Sequence, residues 1–365
     1  DESDQWTVAL AKPGTLPFYR VRLDGRDGRE VYLSARTGEI VQDSLRGERV
    51  LAWLGAIPHW IYPTVLRREA ELWRQTVLAL SAVGLVVTVS GVIAGVHVFR
   101  AMRRRRALRD PYLRWHQALG LWFGLLASTW LFSGALSLHP FRWSDDGGPR
   151  QISAASAPST AWPVEAALRR CQQSLDVREL ELAALGEGRY VVCTAGDLQT
   201  RVVELTDPEL TPQARLLDAH LEALAVRVAA GRPHTIELVH AYDAYHYPTH
   251  TAPYAALPYV RVAVQDEVAS TYYVDPARAK LIRRHSRRTR LERWLYHGLH
   301  SFDLPGLYEH RSAWRTLVIA AMAVGSALSG LGFAMQVRRW LRGRKSRARR
   351  ACTPASRAVS RDVAS

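Results

Sequence analysis

Three stretches of this chain run without a formally charged side chain for long enough to cross a bilayer. They are VLALSAVGLVVTVSGVIAGVHVF from Val77 to Phe99, ALGLWFGLLASTWLFSGALSLHPF from about Ala118 to Phe141, and LVIAAMAVGSALSGLGFAMQV from Leu317 to Val337. A hydrocarbon core of about 30 Å takes about 20 helical residues at about 1.5 Å each. Lipid offers no partner for a free N–H or C=O, so each run has to be helical. The mean hydropathy of −0.14 does not oppose this, because it averages three short apolar spans with a large polar remainder.

The formal net charge of +15 and pI near 10.2 point to nucleic acid or to a membrane surface. Position decides for the membrane. Arg103 to Arg106 directly follow the first apolar run, and Arg338, Arg339, Arg342, Arg344, Lys345, Arg347, Arg349 and Arg350 follow the third, which is the positive-inside pattern. No nucleic-acid partner is expected. The first span then runs inward, residues 100–117 form a basic cytoplasmic loop, and the second span (118–141) runs outward. Residues 142–311 lie outside, the third span (317–337) returns, and 338–365 form a basic cytoplasmic tail.

The polar segments read as a small α+β domain. YVRVAV, STYYVDP and REVYLSA alternate as strands, whereas VEAALRRCQQSL and LDAHLEALAVRVAA carry helical periodicity. The Ser-, Ala- and Pro-rich stretch Ser153 to Pro163 reads as a linker. Cys171, Cys193 and Cys352 lack metal-site spacing. Cys171 and Cys193 would be able to pair after export, but free buried thiols are the preferred reading.

Sliding the chain by 241 positions aligns it with itself: LPFYRV at Leu16 to Val21 meets LPYVRV at Leu257 to Val262. Arg49 meets Arg290, Trp53 and Leu54 meet Trp294 and Leu295, His59 meets His300, Trp73 and Arg74 meet Trp314 and Arg315, and Gly84 and Gly91 meet Gly325 and Gly332. The pattern indicates an internal duplication whose unit is strands, an amphipathic helix carrying a histidine, and a span. The second unit is preceded by the span at 118–141 and the first is not, so a fourth span upstream of Asp1 is expected. The full architecture would be a four-helix membrane bundle of two repeats.

STYYVDPARAKLI followed by RLERWLYHGLHSFDLPGLY and AWRTLVIAAMAVGSALSGLGF, together with RWHQALGLWFGLLASTWLFSGALS and the weaker copy REVYLSARTGEIV, resembles the PepSY-associated transmembrane proteins of bacterial inner membranes. Two departures stand out: Ala56 where the first repeat lacks a partner for His297, and Ala279 where a turn glycine is usual and Gly38 supplies it in the first copy. The resemblance implies a multi-pass inner-membrane protein with periplasmic PepSY-like domains: a partial one with its amphipathic helix at 1–70, and a second at 142–311. Some members are similar to siderophore-uptake-associated ferric reductases that hold haem between their spans through histidine pairs.

A b-type haem needs two imidazoles presented from facing helices at one membrane depth. His97 and His116 fall near the cytoplasmic ends of spans one and two. His139 falls about 34 Å from His116, at the outer end. His59, His297 and His300 belong to the outer-face helices before spans one and three. Two layers of candidate ligands result, and His300 and His116 lead because both fall in family-like motifs. His297, facing Ala56, reads as a neighbour of His300. The glycine pairs Gly84/Gly91 and Gly325/Gly332 read first as packing positions, with room for a flat macrocycle as the alternative.

The competing interpretations are plain ones. Interfacial histidines snorkel to headgroups beside Trp53, Trp60, Trp115, Trp294 and Trp314. HAYDAYHYPTHTAPY, with His240, His246 and His250, reads as a Tyr- and His-rich loop of a sheet, and Arg283 to Arg290 as a solvated charged turn. No Walker loop, dinucleotide fingerprint, HExxH or nucleophile elbow is present, so electrons would have to come from a donor such as quinol. The leading expectation is a haem b electron-transfer protein that reduces a ferric siderophore on the periplasmic side. The alternative is a non-enzymatic anchor whose PepSY domains bind a periplasmic partner such as a protease.

Overall fold

The computed structural model describes residues 5–6, 17–36, 38–104, 110–140, 162–248, 255–307 and 309–351. Most of the expected linker, His250 and Cys352 lie outside the described residues. The chain forms two units, one comprising residues 1–138 and 323–365, the other 139–322.

Three helices are long and apolar enough to cross a membrane: α4 (Ala70–Arg104), α5 (Pro111–Leu136) and α10 (Arg311–Ala351). Each overruns its apolar run at the N-terminal side. Helix α5 starts where Asp110 caps the N–H of Tyr112 at 2.9 Å and Pro111, which has no N–H to satisfy, occupies the first turn. It ends earlier than expected. The expected span reached Phe141, but helical structure stops at Leu136, and His139 lies beyond it at φ 47°, followed by Pro140.

In the first unit, α4 packs on α5 through small residues. A Cβ on Gly124 would stand 2.5 Å from Val92 Cγ2, and one on Gly84 would stand 3.2 Å from Leu131 Cδ2. Helix α10 meets α5 likewise, with a Cβ on Gly325 falling 2.7 Å from Phe123 Cζ. Gly84 and Gly325 are therefore packing positions, while a Cβ on Gly91 would meet nothing within 4 Å. This unit also holds an antiparallel sheet of β1 (Phe18–Arg22), β2 (Glu30–Ser34) and β3 (Ile40–Ser44), in that order. Short helices α1 (Arg46–Leu54), α2 (Ala56–Trp60) and α3 (Thr64–Arg68) join the sheet to α4.

The second unit begins with α6 (Val164–Gln172) and a sheet of β4 (Val177–Leu185), β5 (Gly188–Ala195) and β6 (Thr200–Glu204). Helix α7 (Asp218–Ala229) follows. A second sheet has the order β10-β9-β8-β7, with β7 His234–Val239, β8 Tyr259–Val264, β9 Thr271–Asp275 and β10 Lys280–His285. Strand β5 is buried on both faces. Tyr190 and Val192 join the core of α7 and the second sheet (Leu221, Leu224, Val260, Val262), whereas Val191 and Cys193 face Ala167 and Cys171 of α6. Period-two alternation sends successive side chains to opposite faces, so an uninterrupted YVVC run serves two cores.

Cys171 and Cys193 form a disulfide joining α6 to β5, which corrects the preference for free thiols. Helix α6 presents Ala167 and Cys171 one turn apart on its buried face, bringing one thiol onto the strand position that carries the other. Arg283 to Arg290 is not a turn either. Its first three residues complete β10, and from Arg287 it forms α8 (Arg287–Glu292), capped by Ser286 accepting from the N–H of Thr289 at 3.3 Å. A π-helical turn (Arg293–Gly298) and the short α9 (Leu299–Ser301) lead on toward α10.

The strands β1 to β3 and β8 to β10 correspond in position and register at an offset of 241 residues. Arg20 pairs with Tyr32 as Arg261 pairs with Tyr273, and each last strand skips one residue of the ladder, at Val41 and at Ile282. Arg49 Nη2 donates to the carbonyl of Gly28 at 2.8 Å, and Arg290 Nη2 to that of Ala269 at 2.9 Å. The indole of Trp73 donates to Trp60 O at 3.1 Å, and that of Trp314 to Ser301 O at 2.8 Å. Left-handed backbone recurs at Ile61 and Phe302, and at Gly38 and Ala279, where the alanine accepts φ 47° at a cost of about 1 kcal/mol.

Candidate functional site

His116 lies in the second turn of α5, and its ring faces α10, where a Cβ on Gly332 would come 3.3 Å from His116 Cε1. The imidazole fits there because residue 332 has no side chain. Its Nδ1 is buried and has no hydrogen-bond partner. A buried polar nitrogen without a partner costs about 1–3 kcal/mol, so this ring is disposed to accept a ligand or a proton donor. Around it, Gln117 Nε2 donates to Gly95 O on α4 at 3.3 Å, and Arg338 on α10 lies 3.8 Å from Asp110 and over the ring of Tyr112 at 4.4 Å.

The other five histidines are placed differently. His97 is exposed on α4. His59 lies in the last turn of α2 and is exposed, and desolvation by the surrounding chain lowers its pKa. His139 lies beyond the end of α5, with Nε2 3.5 Å from Glu292 Oε1. An imidazole engaged with a carboxylate through Nε2 has its best ligating nitrogen occupied. His297 and His300 both lie beside Tyr296 with tilted rings, the centroids at 4.9 and 5.4 Å. Desolvation lowers the pKa of His297, opposed by Asp303. Both lie on one short segment, so they do not face each other across an iron. Among the six candidates, His116 is thus distinguished by a buried, unpartnered ring nitrogen.

Sequence reasoning missed two polar clusters of the second unit. Asp243 Oδ2 accepts from the hydroxyls of Tyr259 and Tyr273, each at 3.1 Å, with Arg261 at 3.5 Å, while its Oδ1 accepts the N–H groups of Tyr245 and His246. His246 is buried against Tyr259 at 4.4 Å and bonds Ala256 O at 2.8 Å. It is a buried residue of the expected Tyr- and His-rich loop. Burial, and then Asp243, raise the pKa of both tyrosines, which keeps them protonated as donors. His285 is buried between Tyr245 and Tyr273, and burial followed by the Arg283 charge pushes its pKa down to about 4.

The second cluster surrounds Arg293, only 4% exposed, which donates from Nε to Ala244 O at 2.7 Å and from Nη2 to Tyr247 Oη at 2.9 Å. The Tyr247 hydroxyl donates to Asp303. The guanidinium also lies over Trp294 at 4.7 Å, fastening the π-helical turn to the HAYDAYHY segment. The Arg293 cluster ties the turn that carries His297 to this segment. The only sequence signal for them is the density of Tyr and Asp from His240 onward, which does not say which groups turn inward.

Among the described residues no group of three or more His, Cys, Asp or Glu is arranged to hold a metal ion. Comparisons with family models, with curated proteins and with solved structures find no match to the chain.

Proposed function

We propose that this chain is a bacterial inner-membrane electron-transfer protein that binds haem b at the α5–α10 interface and passes electrons to a ferric chelate, such as a siderophore complex, on the periplasmic side. The observation that carries the reading is His116, whose buried and unpartnered ring nitrogen abuts the side-chain-free face of Gly332. Haem, when bound, supplies a one-electron couple at iron. In this reading His116 would be one of two imidazoles that hold the haem, and the second would come from a facing helix. The fit extends to one ligand of the pair and to the glycine that gives the ring its place.

The location rests on two supports. Charge runs flank the helices as a cytoplasmic loop and tail require, and the Cys171–Cys193 disulfide suits an oxidising compartment such as the periplasm. The matching ladders, bulges and Arg49/Arg290 and Trp73/Trp314 bonds support an internal duplication, with the sheets as PepSY-like domains.

The test is spectroscopic. Full-length protein from haem-replete cells should show a Soret band and a reduced-minus-oxidised alpha band, and His116→Ala should remove or shift them while far-ultraviolet circular dichroism stays unchanged. A colourless, folded preparation rejects the reading.

A further inference from the structure

The segments that precede α4 and α10 leave apolar side chains uncovered in the same places. In α8 and the turn after it, Arg287, Leu291 and Trp294 fall at helical spacing on one face, and Leu291 and Trp294 are 51% and 36% exposed. In α1 the same positions hold Arg46, Val50 and Trp53, with Val50 and Trp53 56% and 52% exposed. The α1 face stands open, and the α8 face is covered only at Trp294, which carries the Arg293 guanidinium on its ring and donates to Tyr245 Oη at 3.2 Å. The adjoining Arg288 and Arg283 are also exposed, and no described side chain neutralises Arg287 or Arg288. Two cations in the first turn of a helix oppose the helix dipole, so helix formation does not account for them.

Each segment is also fastened to the start of a membrane-spanning helix. Trp314, four residues into α10, donates to Ser301 O at the end of α9, and Trp73 of α4 donates to Trp60 O at the end of α2. These bonds hold the two faces near the ends of the apolar runs. A short amphipathic segment with Trp and Leu or Val on one side and arginine beside them is the composition that settles into a headgroup layer.

We propose that these two faces, Arg287/Leu291/Trp294 with Arg288, and Arg46/Val50/Trp53, are in-plane docking surfaces for anionic phospholipid. The apolar residues enter the acyl boundary and the arginines bind headgroup phosphate. The occupant follows from charge complementarity and from continuity with helices α4 and α10. The proposal needs these helices to cross a bilayer and is independent of whether haem is bound.

The full chain with Cys352→Ser and either Leu291→Cys or Val50→Cys can be labelled with an environment-sensitive fluorophore, since Cys171 and Cys193 are engaged with each other. In lipid nanodiscs, headgroup-labelled nitroxide phosphatidylglycerol should quench the probe more than the same mole fraction of nitroxide phosphatidylcholine. At about 1 kcal/mol per arginine near a membrane surface, the local enrichment of the anionic lipid should fall about fivefold in Arg287→Gln and again in Arg287→Gln/Arg288→Gln when the probe is at position 291, and about fivefold in Arg46→Gln when it is at position 50. Quenching of the parent by neither lipid, or equally by both, overturns the proposal. So does an enrichment at position 291 that the double variant leaves unchanged, or one at position 50 that Arg46→Gln leaves unchanged. These arginines are exposed, and an unaltered disulfide and circular dichroism spectrum verify that the variants fold.

Discussion

Removing the Cys171–Cys193 bond should loosen the second unit by a predictable amount. The cysteines are 22 residues apart in sequence, and closing a loop of that length in the unfolded chain corresponds to about 3 kcal/mol. The native state should change little. Both residues are fully buried in the α6–β5 core, and a Cys171→Ala/Cys193→Ala pair leaves two small apolar side chains there. For a urea dependence of about 1–3 kcal/mol per molar, the midpoint of this unit should fall by about 1–3 M. Pulse proteolysis of the full-length protein in detergent across a urea series measures that midpoint without separating the units. Denaturing protein taken directly from cells in excess maleimide–polyethylene glycol, without reductant, should add one adduct, at Cys352. Three adducts would refute the bond and remove its support for export. One adduct with an unchanged midpoint in the double variant would refute the entropic reasoning.

Neutral His285 has a folded pKa near 4 against about 6.5 unfolded, so its contribution is complete above pH 6.5 and is lost as pH falls toward 4. Urea midpoints of the second unit at pH 7 and pH 4.5 should differ by up to about 3 kcal/mol from this group, and His285→Gln should flatten the difference. Gly325→Ala should lower the melting temperature in detergent, at a cost of about 1–3 kcal/mol, because its Cβ would lie 2.7 Å from Phe123. Gly91→Ala, with nothing within 4 Å, should be neutral or stabilise by about 0.5–1 kcal/mol. Asp243→Asn places an amide where three side-chain donors converge and should cost about 2 kcal/mol, read as a lower urea midpoint.

Residue type alone determined the three long helices and their charged flanks. An uncharged run of more than twenty residues has few alternatives to a helix, and arginines after it report on insertion whatever the packing. Local periodicity likewise placed β2, β8, β9, α6 and α7, because alternation and the 3.6-residue repeat are properties of adjacent residues. The helix end at Leu136 was not legible, since Ser137 to Pro140 are compatible with an apolar span by composition and depart from it through backbone conformation. Tertiary structure alone decided that Cys171 meets Cys193, that His246 turns inward, that Asp243 gathers Tyr259, Tyr273 and Arg261, and that His116 faces Gly332 while His97 faces outward. Each of these depends on which face of an element meets another element distant in sequence. A run of residue types specifies the faces, and only packing specifies what each face meets.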